Sequence, residues 1–352
     1  MFFSFDYLFE KPVPRWQNIK ATSVLLVVFV VARSRQMSTY DWLASNSAPA
    51  GCPMQITSGA FLFHGGGSLY IPPKKLHKGW GEQVSAHVAG ADTKPLPDRV
   101  EITFYSYLED KIYHGEFSLP YARIEKLFAE GYDSYDTGPL QHTTYRWIVA
   151  GVAPGGVVAV WLSGIERQVE VFFGRADEVS FDWHKTLGVP TRIDRRERQE
   201  SVLTAAEAKD PLVTRSMMQI PFGVWATYRI RYPWQPVFEG MTTPVRIERI
   251  SYLNGERDYL SLPMSDADKQ ATRPVPSFLS FVIRRTENGL RYKIFFDEEE
   301  TLSTFQRLSL QRKPLELVFH TEMLEGQPKF SVLVRNEDEA VKLSKIKRQY
   351  FK

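Results

Sequence analysis

Leu96-Pro97 leads into Val100-Glu101-Ile102-Thr103-Phe104, a polar turn at Glu109-Asp110-Lys111, and the return Ile112-Tyr113. Val275-Pro276 leads into Phe278 to Ile283, a turn at Glu287-Asn288-Gly289, and Arg291-Tyr292. The two stretches share their landmarks at a constant offset of 179 residues, from Pro97 to Pro276 and from Tyr113 to Tyr292. Each is an alternating apolar run, a tight polar turn and a returning strand, the pattern of a β-hairpin half-buried on one face, and Asn-Gly is a strong turn signal. A repeat at half the chain length predicts two tandem copies of one β-rich module.

Working outward, a helix is expected after each hairpin. In Tyr121 to Phe128, Ile124, Leu127 and Phe128 share one face. In Asp297 to Leu308, Leu302, Phe305 and Leu308 recur at helical spacing behind carboxylates that favour the positive end of the helix dipole. Upstream, Trp42 pairs with Trp225 at an offset of 183, with Pro49 and Pro53 beside Pro233 and Pro236. Residues 191–220, dense in charge from Arg192 to Arg198, read as a linker. The expected fold is α+β, mainly antiparallel β, as two tandem β-rich modules (38–190 and 221–352) with one or two helices each.

Aromatic residues form 13% of the chain, a composition suited to sheet surfaces. With 44 basic against 41 acidic residues, it lacks the basic excess of a nucleic-acid groove, so no nucleic acid is expected as a partner. Cys52 is the single cysteine, which excludes an intramolecular disulfide and a cysteine-built zinc site. At the amino terminus, Val24 to Ala32 is an unbroken apolar run behind Lys11, Arg15 and Lys20. Three readings of residues 1–37 stay open: a secretory signal peptide, an uncleaved membrane anchor, or a buried strand upstream of a start at Met37. The first two place the body in the periplasm or on the inner membrane facing it.

Motifs with catalytic precedent are weak here. His64-Gly65-Gly66-Gly67 copies an oxyanion-hole segment of esterases, yet no Gly-x-Ser-x-Gly elbow accompanies it, and a glycine-rich hairpin turn between Ala60 to Phe63 and Ser68 to Ile71 accounts for it. The seven histidines show no metal-binding spacing, and Asp297 to Glu300 lacks the alternation of a calcium loop. No catalytic residue, metal or cofactor is expected.

The segments Gly79-Trp80-Gly81, Tyr105 to Tyr113 and Ile148 to Gly164, the last containing Ala153-Pro154-Gly155-Gly156 and Val160-Trp161-Leu162-Ser163-Gly164, resemble the bacterial family known as domain of unknown function 2931, over roughly Tyr40 to Pro190. The resemblance implies a small envelope protein, often a lipoprotein. Because some members are encoded beside type VI secretion effectors, it also implies an immunity role against a secreted toxin, a lipase among the candidates. It carries over no catalytic residue. Cys52 lies twenty positions beyond Ala32, too far for lipidation, and the second copy lacks both the Gly-Trp-Gly and the Ala-Pro-Gly-Gly segments. The expectation is a non-enzymatic envelope binding protein with a protein partner. The alternatives are an accessory structural protein anchored at the inner membrane and a hydrolase built on His64. Candidate contact loops are Gly79, Trp80 and Gly81, and Ala153, Pro154, Gly155 and Gly156. Each also has a structural reading, the first as a core plug and the second as a hairpin turn.

Overall fold

The computed structural model describes residues 38–87, 91–134, 140–209, 220–240, 244–283, 290–324 and 327–351. The amino-terminal apolar run and the Asn288-Gly289 turn lie outside the described residues. Residues 39 to 352 form one compact unit.

Its first half contains β1 (Thr39–Tyr40), β2 (Leu43–Ser47), β3 (Met54–Phe63), β4 (Ser68–Tyr70), β5 (Lys75–Leu76), β6 (Ala86–His87), β7 (Lys94–Pro95), β8 (Pro97–Ser106) and β9 (Lys111–Ser118). Helix α1 (Tyr121–Glu130) follows, then β10 (Tyr132–Ser134), β11 (Gln141–Thr143), β12 (Trp147–Ala153), β13 (Val157–Ser163), β14 (Gln168–Arg175) and β15 (Asp177–Val179). Between the halves run α2 (Trp183–Leu187), α3 (Arg195–Glu207) and α4 (Val224–Thr227). The second half contains β16 (Tyr232–Glu239), β17 (Val245–Tyr252), β18 (Arg257–Asp258), α5 (Asp266–Gln270), β19 (Thr272–Arg273), β20 (Pro276–Ile283) and β21 (Leu290–Phe295). It closes with α6 (Glu298–Ser309), β22 (Leu315–Leu324), β23 (Gln327–Arg335), β24 (Ala340–Lys342) and β25 (Lys347–Phe351). The class is α+β with mostly antiparallel pairing, as the sequence predicts.

The halves share one order of pairings. In the first, β6-β2-β12-β13-β14 faces β15-β9-β8-β3-β4, with β2 parallel to β12. In the second, β19-β16-β22-β23-β24 accompanies β18-β17-β20-β21-β25, with β16 parallel to β22. In each half a helix follows the central hairpin and buries a Phe four residues after a smaller buried side chain: Ile124 and Phe128 in α1, Thr301 and Phe305 in α6. The Asp297 side chain caps α6 by accepting from the Glu300 N–H, which satisfies one of the unpaired donors at the helix start.

The best-repeated detail is a clasp around a buried tryptophan. Trp42 donates from Nε1 to the Pro95 carbonyl at 3.1 Å, and the buried Lys94 Nζ returns to the Trp42 carbonyl at 3.0 Å. Trp234 donates to the Pro274 carbonyl at 3.0 Å, and the buried Arg273 returns to the Trp234 carbonyl at 3.1 Å. The bridge registers agree, Tyr40 opposite Lys94 and Tyr232 opposite Arg273, and both tyrosines pack on the helix phenylalanine. The counterpart of Trp42 is therefore Trp234. The expected partner, Trp225, sits instead in α4 and lines the cleft at the junction of the halves. The offset is also not uniform. Phe104 stacks on Tyr113 and Phe281 on Tyr292, so the second strand reaches its aromatic rung two residues sooner after the proline.

Within the stretch expected as a linker, residues 194–199 are fastened to the first half. Asp194 caps α3, Arg195 donates to the Asp110 carboxylate at 2.8 Å and carbonyl at 3.0 Å, and Gln199 reaches the Tyr107 carbonyl. Trp234→Phe removes one buried hydrogen bond and part of a core side chain. It should lower unfolding free energy by about 2–3 kcal/mol in urea titrations at unchanged m value; no loss would deny the clasp any role in holding the second half.

Candidate functional site

A cluster of buried polar and charged side chains lies where the halves meet. β14 of the first half pairs with β18 of the second through Gln168 opposite Arg257, and this single bridge joins ten strands into one sheet. The Gln168 side chain is buried and donates from Nε2 to two carbonyls, Gly81 at 2.9 Å in the first half and Gly255 at 2.5 Å in the second. Its Oε1 accepts from Arg257 at 3.0 Å, and Arg257 also donates to Ser163 Oγ at 2.8 Å. An amide that satisfies donors and acceptor at once is a low-cost buried polar group.

Two carboxylates extend the seam. Glu170 accepts from Arg229 at 2.5 Å, Glu256 accepts from Arg231 at 2.7 Å, and the Glu170 N–H donates to Glu256 Oε1 at 3.1 Å. Trp161 Nε1 donates to the Asn254 carbonyl at 3.1 Å. Burial pushes Glu170 up to about 7, against the opposing pull of Arg229, and the neighbouring Glu256 charge adds to the rise.

The Gly-Trp-Gly loop belongs to this junction. Gly79 and Trp80 are half-buried and Gly81 is buried. A Cβ on Gly81 would lie 2.6 Å from the Gly255 Cα, and both glycines hold positive φ, +79° and +84°, so the third position of the motif is glycine because two backbones touch there. Trp80 packs edge-on against Trp161 with centroids 4.9 Å apart and tilts against Trp225 at 6.3 Å. It thus covers the outer face of β12 and β13, which explains why both strands are apolar on both sides.

Ala153, Pro154, Gly155 and Gly156 are all buried. They form the β12–β13 hairpin connection, with Gly155 and Gly156 at φ +76° and +78°. The Gly155 N–H donates to both oxygens of the buried Glu109, at 3.1 and 3.0 Å, and Glu109 accepts from the Tyr113 hydroxyl at 2.7 Å. A Cβ on Gly155 would meet the Phe222 ring at 3.2 Å. The structural reading of this loop as a buried turn therefore describes its position; of the candidate contact residues, Gly79 and Trp80 line an open cavity.

That cavity is a cleft of about 470 Å³ between the halves, with Cys52 among its lining, the rings of Trp80, Trp225, Tyr228 and Tyr252 around it, and the carboxylates of Glu82 and Glu298 as its charged groups. The Tyr228 hydroxyl donates to Glu298. Burial pushes the Cys52 thiol up to about 12, and Glu109 and Glu298 push the same way, so at neutral pH it stays a thiol and a poor nucleophile.

Residues 31–211 match the family described as "Protein of unknown function (DUF2931)". The chain belongs to this family. No curated protein and no solved structure matches it. The DUF2931 match takes in both the Gly-Trp-Gly and Ala-Pro-Gly-Gly loops, while Asn254, Gly255 and Glu256, on which the first of them rests, lie beyond it.

Elsewhere, His64 pairs with Asp98 at 3.0 Å on an exposed turn whose three glycines carry positive φ, which closes the β3–β4 hairpin. Among the described residues no group of three or more His, Cys, Asp or Glu is arranged to hold a metal ion. The seam residues Gln168, Glu170, Arg229, Arg231 and Glu256 were not singled out from sequence. Their one local signal was the Asn254-Gly255 dipeptide between two apolar runs, a turn signature that says nothing of its partner.

Gly81→Ala should cost at least about 2 kcal/mol through backbone strain and collision, and should split the unfolding curve into two steps as the halves separate. A single unshifted transition would contradict the seam. In the fold Glu170 keeps its proton from its ordinary 4.5 up to about 7, a range in which the unfolded chain has lost it. Its contribution is therefore fully present below pH 4.5 and lost as pH rises through 7, on the order of 3 kcal/mol in all. Glu170→Gln should flatten that portion of a stability-against-pH profile.

Proposed function

We propose that the protein is a non-enzymatic binding protein of the bacterial envelope, acting as an immunity protein that binds and neutralises a type VI secretion effector, with a lipase among the candidate targets. The observation that carries the binding reading is the chemistry of the junction cleft: aromatic rings and carboxylates line it, and its thiol is held protonated. Such walls suit recognition of a bound group. The envelope placement rests on the apolar run Val24 to Ala32 behind basic residues, and the immunity role rests on the family resemblance. Among the described residues no helix is long and apolar enough to cross a membrane.

The shared order of pairings and the two tryptophan clasps support reading the halves as two copies of one module. Joined by the seam, they present one broad surface with room for an interface above about 1,000 Å², the size of a specific protein complex.

The test is co-expression with each secreted toxin encoded beside the gene. The toxin directed to the periplasm should kill cells lacking this protein and spare cells that have it, and the purified pair should co-elute. Protection by none of the neighbouring toxins would sink the immunity reading. A growth or envelope defect on gene deletion, with no toxin present, would favour the accessory structural role.

A further inference from the structure

The cleft between the halves combines acidic charge with aromatic and aliphatic walls. Of the charged residues that line it, Glu82 and Glu298 are acidic, and none of the described lining residues is Lys, Arg or His. Four aromatic rings, Trp80, Trp225, Tyr228 and Tyr252, come from three separate places in the chain: the Gly-Trp-Gly loop, α4 with its C-cap, and the end of β17. The volume of about 470 Å³ falls within the usual range of small-ligand pockets. An aromatic ring offers negative potential to a group that meets its face, and carboxylates beside four such residues add to it, so the favoured occupant is a cation with an apolar surface.

The type of cation follows from what the carboxylates already do. Glu298 accepts the Tyr228 hydroxyl, and Glu82 lies 3.7 Å from Arg249. A primary ammonium has three N–H donors and a guanidinium five, each of which loses water on entry and needs an acceptor. A quaternary ammonium has none. It presents methyl groups to the rings and spreads its charge over them, so partly engaged carboxylates suffice.

We propose that this cleft is a binding site for a quaternary ammonium group of the choline type. The site does not depend on the immunity reading, since the same cavity would take a free solute or a lipid headgroup whatever protein the outer surface binds. The group lies between the halves, so its binding should also hold them together.

The experiment uses the full chain, with tetramethylammonium chloride and choline chloride as probes and 3,3-dimethylbutan-1-ol as the uncharged isostere of choline. Tryptophan fluorescence and titration calorimetry read the binding, because Trp80 and Trp225 both line the cleft. Both cations should bind at least about ten-fold more tightly than the alcohol, and ammonium chloride should bind weakly. Glu298→Gln should weaken choline about five- to thirty-fold, and Trp80→Phe about three- to ten-fold, in variants whose circular dichroism shows them folded. Tyr228→Phe keeps the ring and frees the carboxylate, so it should bind choline more tightly than the wild type, by about two- to five-fold. That variant keeps the test decisive if either of the others unfolds.

Flotation with phosphatidylcholine vesicles, against phosphatidylglycerol vesicles, distinguishes the sources. Binding to the former identifies a lipid headgroup, and binding of soluble choline alone identifies a free solute. The proposal is overturned if choline binds no better than its isostere, or if Glu298→Gln and Tyr228→Phe both leave choline affinity unchanged.

Discussion

The side-chain amide of Gln168 is the point on which the arrangement of this molecule depends. It is buried, and its two donors reach backbone carbonyls in different halves of the chain, Gly81 and Gly255. Removing a buried amide from its partners leaves those carbonyls without donors, at about 1–3 kcal/mol each, so the contact is costly to break from either side. Around it several seam groups complete one another, although Glu170 Oε2 and Arg257 Nε are buried without a hydrogen-bond partner. Arg257 needs the amide oxygen, Glu170 needs Arg229, and Gly81 needs a neighbour without a Cβ. The ten-stranded sheet, the two-sided burial of β12 and β13 and the aromatic cleft all follow from the halves being held at this spacing.

How much of this could be read from the sequence depends on the range of the interactions. The hairpins around Pro97 and Pro276 and the helices after them are local, set by alternation, turn residues and helical spacing, and they stand where the sequence places them. The Trp42 landmark shows where such reading stops. Trp225 is the tryptophan at the more regular offset, but the one that matters is defined by a hydrogen bond to a proline carbonyl some forty residues away, which linear spacing does not encode. In hindsight Lys94-Pro95-Leu96-Pro97 and Arg273-Pro274-Val275-Pro276 carry the signal. A basic residue before two alternating prolines marks an edge strand with few free N–H groups, able to use its carbonyls and its side chain as a clasp.

Membership of the DUF2931 family acquires physical content from the same contacts. The Gly-Trp-Gly segment lies in the matched region, yet in this chain its last glycine is fixed by a turn outside that region, and its tryptophan roofs the strands that carry Trp161. A loop that looked like a surface for an external partner is thus occupied on one side by the chain's own second half. Its other side, at Gly79 and Trp80, still faces open space in the cleft. The Ala-Pro-Gly-Gly loop has no such free side, because Glu109 holds its backbone from within.

The halves dock through unequal features, a turn of one against an edge of the other. The turn from Leu253 to Glu256 follows β17 and precedes β18, the place that the His64 to Gly67 turn occupies between β3 and β4 in the first half. In the second half this turn is buried against the first half; in the first half its counterpart is exposed. The contact is therefore head-to-tail, the kind that can propagate into a filament unless one end is blunted. Blunting is visible at the receiving edge. β14 offers Gln168 and Glu170, whereas its counterpart β24 is three residues long and mostly exposed, Ala340, Val341 and Lys342. A short edge carrying a lysine is a common protection of a sheet edge against such a second seam. The exposed three-glycine turn, with no side chains to bury, likewise has little to bring to one.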